Sequence, residues 1–262
     1  MNILYDAIFK RKSIRKYDTT DLATETLSEI KAYASTVTRL IPEIKIEFLF
    51  LETEEVSNLL PIKAPHYLCI YSESKAGYLM NAGFILQEMD LYLSSKDIGS
   101  CWLGMGKPNK KVPANVHGLD FVIMMAFGGT PEPVHRSSIS EFRRKELIDM
   151  TLFDKASTQN ALTQIFEAVR ISPSATNSQP WFFSCYSLDN GTFEIVVSRE
   201  KLGIIKAALY DKMNQIDIGI CLRHLELSAK NAGKEFSIDF KPLDCSDPVK
   251  KGYEYMSKVT LK

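Results

Sequence analysis

The sequence has no excess of charge of either sign: 32 Lys and Arg stand against 32 Asp and Glu. Without net charge there is no long-range pull toward nucleic acid or an anionic membrane surface, although a local basic cluster can still hold a small anion. There is no C-x-x-C pair. The five cysteines (Cys69, Cys101, Cys185, Cys221 and Cys245) are odd in number and scattered, which reads as reduced thiols in a cytosolic protein rather than a disulfide framework. No apolar run approaches the ~18 residues that a membrane helix needs. The first residues turn charged too soon to form the apolar core of a signal peptide. Asn190-Gly191-Thr192 fits a glycosylation sequon, but without secretion it reads as a turn. No histidine sits in a recognisable partner position for a nucleophilic cysteine, so thiol catalysis has no support.

What is present fits a soluble globular chain. Of the 262 residues, 45% are hydrophobic and 24% charged, enough for one large core or two small ones. Asn2 to Lys10 and Leu22 to Val37 have helical periodicity, and Ile44 to Leu51 and His66 to Tyr71 alternate as strands do. Lys75 to Lys96 predicts a long helix, with Gly99 read as its stop. Asp120 to Phe127 is a continuous apolar run that suits a buried central strand. Ser140 to Phe153 is a charged connector. The order then recurs. Thr158 to Arg170 reads as helix, and Trp181 to Ser187 with Phe193 to Ser198 as a hairpin around Asp189-Asn190-Gly191. Met213 to Ala232 reads as a second long helix, and Phe236 to Phe240 with Tyr253 to Leu261 as a last strand pair. Strands interleaved with long helices give an α+β class.

The halves read as diverged repeats, divided into 1–145 and 146–262. Gly83-Phe84-Ile85-Leu86 matches Gly219-Ile220-Cys221-Leu222 at an offset of 136 positions, and Leu27 and Ile30 match Leu162 and Ile165 at 135.

Four segments carry candidate chemistry. Arg11-Lys12-Ser13-Ile14-Arg15-Lys16 puts four cations and a hydroxyl into six residues, a set that can neutralise a phosphate dianion. Alone, it equally fits a solvated basic face. Ser172-Pro173-Ser174-Ala175-Thr176-Asn177-Ser178-Gln179-Pro180-Trp181 is stiffened by two prolines. Its small side chains let backbone approach a flat ligand, and Asn and Gln offer donors and acceptors for a heterocycle's edge. Alone, it also fits a turn-rich connector. Gly99-Ser100-Cys101-Trp102-Leu103-Gly104 has glycines at both ends, as where backbone passes close to something. Arg143-Arg144-Lys145 is a short basic run in the connector.

Taken together, R-x-S-x-R near the N-terminus, P-S-x-x-N-x-Q-P-W, and G-S-C-W-L-G after a long helix resemble the FMN-dependent nitroreductase family. The apolar strand ending Phe127-Gly128-Gly129 and the later Arg144 extend that resemblance over most of the chain. It implies a nitroreductase-like fold, one FMN per site, and NAD(P)H as donor to a small acceptor such as a nitroaromatic or quinone. It further implies hydride exchange at flavin N5 with no protein acid or base, so no catalytic side chain is named. Carried over by position, Arg11, Lys12, Ser13 and Arg15 face the phosphate and pyrimidine. Cys101, Trp102 and Leu103 pass the ring by backbone, and Pro173, Ser174, Ala175 and Asn177 approach it from a partner. Arg144 returns to the phosphate. A flavin-binding protein that acts as sensor, store or redox partner fits the same motifs.

The order departs from the family. P-S-x-x-N normally follows the first motif closely, whereas here it lies in the second half and Thr36 to Pro42 stands where it belongs. An offset of 135 carries Arg11, Ser13 and Arg15 onto Glu146, Ile148 and Met150. The family's sites lie at a homodimer interface, each built from motif one of one subunit and motif two of the other. Two fused halves, forming a pseudo-dimer in one chain, therefore keep one complete composite site and lose its mirror. The expectation is a monomer with one FMN per chain, similar to the tandem-half branch of the family, with no added substrate lid.

Overall fold

Residues 3–188, 191–241 and 249–262 are described by a computed structural model. Their contacts fall into two units, 3–141 and 142–262. Asn2, the hairpin-turn residues Asp189 and Asn190, and Cys245 lie outside the described residues.

The first unit opens with α1 (Ile3–Ile8) and α2 (Thr24–Ala34), then β1 (Ile46–Glu52), β2 (Val56–Asn58) and β3 (His66–Ser72). It continues through α3 (Tyr78–Ser95), β4 (Gly99–Leu103), β5 (Gly106–Pro108), β6 (Asn115–Val116) and β7 (Leu119–Gly128). Its main sheet runs β1-β3-β7-β4, all antiparallel, with β6 also on β7 and β2 paired to β5 apart from it. The apolar runs of β3 and β7 are buried on both faces of the sheet. α3 is buried from Leu79 to Ser94, as a core helix is, and takes several polar side chains, Asn81 and Asp90 among them, into the interior with it.

α3 does not end on Gly99 as the sequence reading has it. Asp97 takes the left-handed position at φ 59°, its N–H bonds Ser94 O at 3.2 Å, and the Ile98 N–H bonds Leu93 O at 3.0 Å. That is a glycine-type helix cap made by a residue whose short polar side chain tolerates the left-handed region. Gly99 starts β4 instead. A Cβ there would meet Ile14 at 3.1 Å, so its bareness serves close packing against the Arg11–Arg15 segment.

The second unit contains α4 (Leu147–Met150), β8 (Thr151–Phe153), α5 (Ala156–Arg170), β9 (Trp181–Ser187) and β10 (Phe193–Glu200). It closes with α6 (Ile204–Asn231), β11 (Phe236–Asp239) and β12 (Tyr253–Leu261). The sheet order is β11-β12-β10-β9-β8, with only β8 parallel to its neighbour. The charged connector is therefore not featureless: a 3-10 turn at Ile139–Phe142, α4 and β8 occupy it.

The repeat is visible in detail. Replacing β1, β3, β7 and β4 by β9, β10, β12 and β11 turns the order of the first sheet into that of the second. Phe48 pairs Ile70 and Phe183 pairs Val197. Register then slips at the same place in both, just after Ile70 against β7 and just after Val197 against β12. The long helices end alike, because Gly233 is left-handed at φ 74° and the Lys234 N–H bonds Ala229 O at 2.9 Å, 136 positions after the bond made by Ile98. Bulges and caps at matched positions are shared construction, which amphipathic spacing alone does not produce.

One element exceeds its counterpart. Residues 214–231 of α6 match α3, but α6 begins ten positions earlier, at Ile204. The sequence reading starts this helix at Met213 and finds no insertion. It missed the extension because the added turns carry exposed apolar residues, Ile204 (92% exposed), Ile205 and Leu209, that follow no core-facing pattern.

Candidate functional site

In the first unit the fold draws two of the distant motifs together. After α1 the chain runs extended from Arg11 to Arg15 alongside the start of β4. Ser13 bridges Ser100 in parallel, and the Ile14 N–H bonds Ser100 O at 2.9 Å. On the other side Arg11 bridges His135 antiparallel, and the Arg136 N–H bonds Lys10 O at 2.8 Å. The R-x-S-x-R segment thus lies between the G-S-C-W-L-G strand and a return segment at 135–136.

Buried electrostatics fix its geometry. Arg11 is 1% exposed, and its Nε meets Asp90 Oδ2 of α3 at 2.8 Å. Ser100 Oγ donates to the other carboxylate oxygen of Asp90 at 2.5 Å, and Arg11 Nη2 donates to Ser13 Oγ at 3.0 Å. One buried carboxylate therefore ties the two motifs to the core helix. Arg136 donates through Nη1 to Arg11 O. Burial pushes the Arg136 guanidinium down from its ordinary value, and the positive charges of Arg11 and Arg15 push it further. Three guanidiniums thus act on one another at a single place, with Arg15 exposed among them. Lys12 Nζ donates to Pro133 O at 3.1 Å.

The cysteine is not a nucleophile here. Burial raises the Cys101 thiol above its ordinary range, and the lowering influence of Arg15 and Arg11 does not reverse it. Tyr17 is pushed up by burial, then by Cys101 and Asp90, and its hydroxyl donates to Ala126 O at 3.2 Å. Neither group supplies a proton near neutral pH. The Trp102 indole N–H is buried and finds no acceptor among the described residues. Leu103 is fully buried. A separate groove of about 910 Å³, bordered by Tyr71, Lys107, Lys110, Lys111 and Phe121, contains none of the motif residues.

In the second unit the P-S-x-x-N segment joins α5 to β9 and folds on itself. Thr176, Asn177 and Gln179 all have left-handed backbone, at φ 52°, 59° and 50°. Three such residues without a glycine, one of them β-branched, store strain that surrounding bonds must hold. Arg144 supplies several of those bonds, donating to Ser172 O at 2.9 Å, Phe142 O at 2.6 Å and Asn177 Oδ1 at 2.6 Å. Asn177 Nδ2 donates to Arg143 O at 3.1 Å, and Gln179 Oε1 accepts from the Lys145 N–H at 2.8 Å. The Ala175 N–H is held by Asp217 of α6, and Ser174 Oγ accepts the Gln179 N–H at 2.9 Å. Pro173 is buried beside them. The 135-shifted positions fall differently: Glu146 precedes α4, Ile148 is exposed and Met150 is buried, on helical rather than extended backbone.

A family model described as "Putative TM nitroreductase" matches residues 3–229. The chain belongs to this nitroreductase family. Its fold is that of a solved protein described as a putative nitroreductase from Thermotoga maritima, at 19% identity and a TM-score of 0.63, covering 100% of this chain and 93% of that one. Smaller solved relatives cover about half of it. An FMN-dependent nitroreductase from Clostridium difficile is 18% identical, with a TM-score of 0.40 over 53% of this chain and 92% of its own. A nitroreductase with bound FMN from Bacteroides fragilis is 16% identical, with a TM-score of 0.39 over 50% and 89%. Comparison with curated proteins gives no match.

Two contributors escaped the sequence reading. Asp90 sits among apolar neighbours on a helix that reads as core. Arg136 follows His135 in a loop without pattern, while the more conspicuous Arg143-Arg144-Lys145 run drew attention. The available signal for Arg136 was its position, soon after the Phe127-Gly128-Gly129 strand end.

Proposed function

We propose that this chain is an FMN-dependent oxidoreductase that takes reducing equivalents from NADH or NADPH and passes them to a small acceptor such as a nitroaromatic or quinone, with one FMN per chain. The observation that carries the reading is the convergence of Arg11, Arg15 and Arg136 on the segment that also bears Ser13. Arg11 is already paired with Asp90, and Arg15 and Arg136 add positive charge beside it that a phosphate monoester would balance. The indole N–H of Trp102, on the strand that lies along this segment, is buried without an acceptor among the described residues, which also fits a ligand rich in acceptors.

On this reading Arg11, Lys12, Ser13 and Arg136 hold the phosphate end. Arg15, exposed and cationic, would favour the negative charge that a reduced flavin carries by its pyrimidine. The backbone of Cys101, Trp102 and Leu103 limits one side of the ring. The strained Ser174–Asn177 segment, with Pro173 beside it and Arg144 bracing it, has amide donors and acceptors of the kind that a heterocycle's edge would take. When bound, FMN supplies the hydride and electron chemistry. The protein supplies position, charge and exclusion of water, which agrees with thiol and phenol groups held protonated.

The test is direct. Purified protein should be yellow, and its flavin absorbance should bleach on anaerobic addition of NADH or NADPH and return on addition of a quinone. A yellow protein that neither nucleotide bleaches would leave a flavin-binding protein and remove the reductase.

A further inference from the structure

Each long helix carries one buried polar residue two positions before the glycine that the repeats share: Asn81 before Gly83 and Asp217 before Gly219, again 136 positions apart. Both reach the loop that joins the preceding helix to the strand after it, α2 to β1 and α5 to β9. Asn81 Oδ1 accepts the Ile41 N–H at 3.0 Å. The two carboxylate oxygens of Asp217 accept the Ala175 N–H at 3.1 Å and 3.2 Å. The device is the same, but the loops it holds are not. Among the described residues of 36–44 there is no left-handed backbone, whereas the loop held by Asp217 has it at Thr176, Asn177 and Gln179.

The residue type also differs, and the difference is costly. Burial pushes the Asp217 carboxyl up to about 8, against the pull of the Ala175 N–H and the Ser178 hydroxyl. Among the described residues no cation faces it. The other titratable group close by is Cys221, one turn along α6, whose thiol is raised by burial and by Asp217 itself. A single N–H needs only an amide oxygen, as Asn81 demonstrates. A carboxylate offers two oxygens, and both accept the Ala175 N–H, while the buried Ser178 hydroxyl nearby has no hydrogen-bond partner among the described residues.

We propose that Asp217 is the positioning residue of the Ser174–Gln179 segment: by holding the Ala175 N–H inward with both carboxylate oxygens it keeps the left-handed turn that follows formed, so that Asn177 and the backbone around it stay presented to the flavin. The inference rests on the flavin reading above for its functional half and on geometry alone for the rest.

Asp217→Leu keeps the branched shape, removes both acceptors and suits the apolar surroundings. Asp217→Asn restores one acceptor, and Cys221→Ala perturbs the same helix without touching the loop. Amide exchange of FMN-free protein, read by mass spectrometry, should quicken across residues 175–179 by about ten-fold or more in Asp217→Leu. It should return to within about three-fold of wild type in Asp217→Asn and stay unchanged in Cys221→Ala. FMN affinity, read by fluorescence quenching, should follow the same order and fall about ten-fold or more only in Asp217→Leu. Should Asp217→Leu not fold, Asp217→Ala takes its place. Unchanged exchange in the acceptor-free variant, or an equal loss of FMN in Cys221→Ala, overturns the proposal. Absence of FMN binding in the wild type would overturn the flavin reading instead, and exchange alone would then decide whether Asp217 positions the segment.

Discussion

Removing Arg11 tests how far a binding motif is also part of the core. Arg11 and Asp90 are 1% and 0% exposed, with Nε and Oδ2 2.8 Å apart. Arg11→Ala leaves Asp90 buried with Ser100 Oγ as its remaining donor among the described residues. Breaking a buried pair by deleting one partner costs about 3–5 kcal/mol, whereas replacing both partners with apolar groups of similar size is often neutral. Arg11→Ala should therefore destabilise the FMN-free protein by about 3 kcal/mol or more, and Arg11→Met with Asp90→Leu should recover most of that loss. The assay is urea denaturation followed by tryptophan fluorescence. The chain has two tryptophans, Trp102 in the first unit and Trp181 in the second, so a Trp181→Phe background lets Trp102 report on the first unit alone. A loss below about 1 kcal/mol in the single variant, or a double variant no better than the sum of the singles, would refute the argument that this pair is a buried structural tie. Arg15→Ala is the companion measurement. Arg15 is exposed, so its removal should leave the denaturation midpoint unchanged and weaken FMN by roughly 1.5–3 kcal/mol, the worth of a hydrogen bond to a charged group.

Three further outcomes are expected. Asp217 should make the second unit less stable as pH rises: its folded value, about 8, lies above the ordinary carboxyl value of 3.8, so its contribution is complete below the ordinary value and is lost as pH climbs through 8. Asp217→Asn should gain on the wild type by up to about 5 kcal/mol between acid and alkaline pH, and parallel pH profiles would contradict this. FMN should titrate to one equivalent per chain, and saturation at two would sink the argument from the lost second motif pair. Gly128→Ala should destabilise by about 1–3 kcal/mol, because the new Cβ would lie 2.6 Å from Pro65 Cγ, and a neutral result would mean that this strand end yields more easily than its packing implies.

The sequence carried the elements whose pattern has a local cause. β9 and β12 begin and end where the sequence places them, α3 follows from its helical spacing of apolar residues, and β7 from a continuous apolar run. What it could not carry were features made by distant neighbours. Gly99 looks like a helix stop next to a periodic segment, and only the approach of Ile14, 85 positions earlier, gives it another reason. The added turns of α6 carry exposed apolar residues, so a rule that equates apolar with buried starts the helix late. For the candidate site, composition marked Arg11, Ser13 and Arg15, and the fold brings them against Ser100 and Cys101. Asp90 and Asp217 were illegible because a single carboxylate in a helix has no pattern, and its meaning depends on which N–H or guanidinium the tertiary structure brings to it.

That dependence changes what the retained and lost motifs mean. Asp90 has a counterpart at Glu226, 136 positions later and likewise buried on the long helix. In the first repeat its cation comes from the motif, through Arg11. In the second it comes from the same helix: Arg223 Nη1 lies 2.6 Å from Glu226 Oε2 and Lys230 Nζ lies 2.7 Å from Oε1. A helix that neutralises its own carboxylate does not need an arginine from the preceding segment, so that repeat could exchange the motif for α4 without leaving a charge stranded in the core. The first repeat has no such freedom. Arg11 would be kept for stability even in a chain that bound nothing, and its retention is weak support for a phosphate site. Arg15 and the exposed face of the cluster carry more weight, since the fold has no use for a cation there.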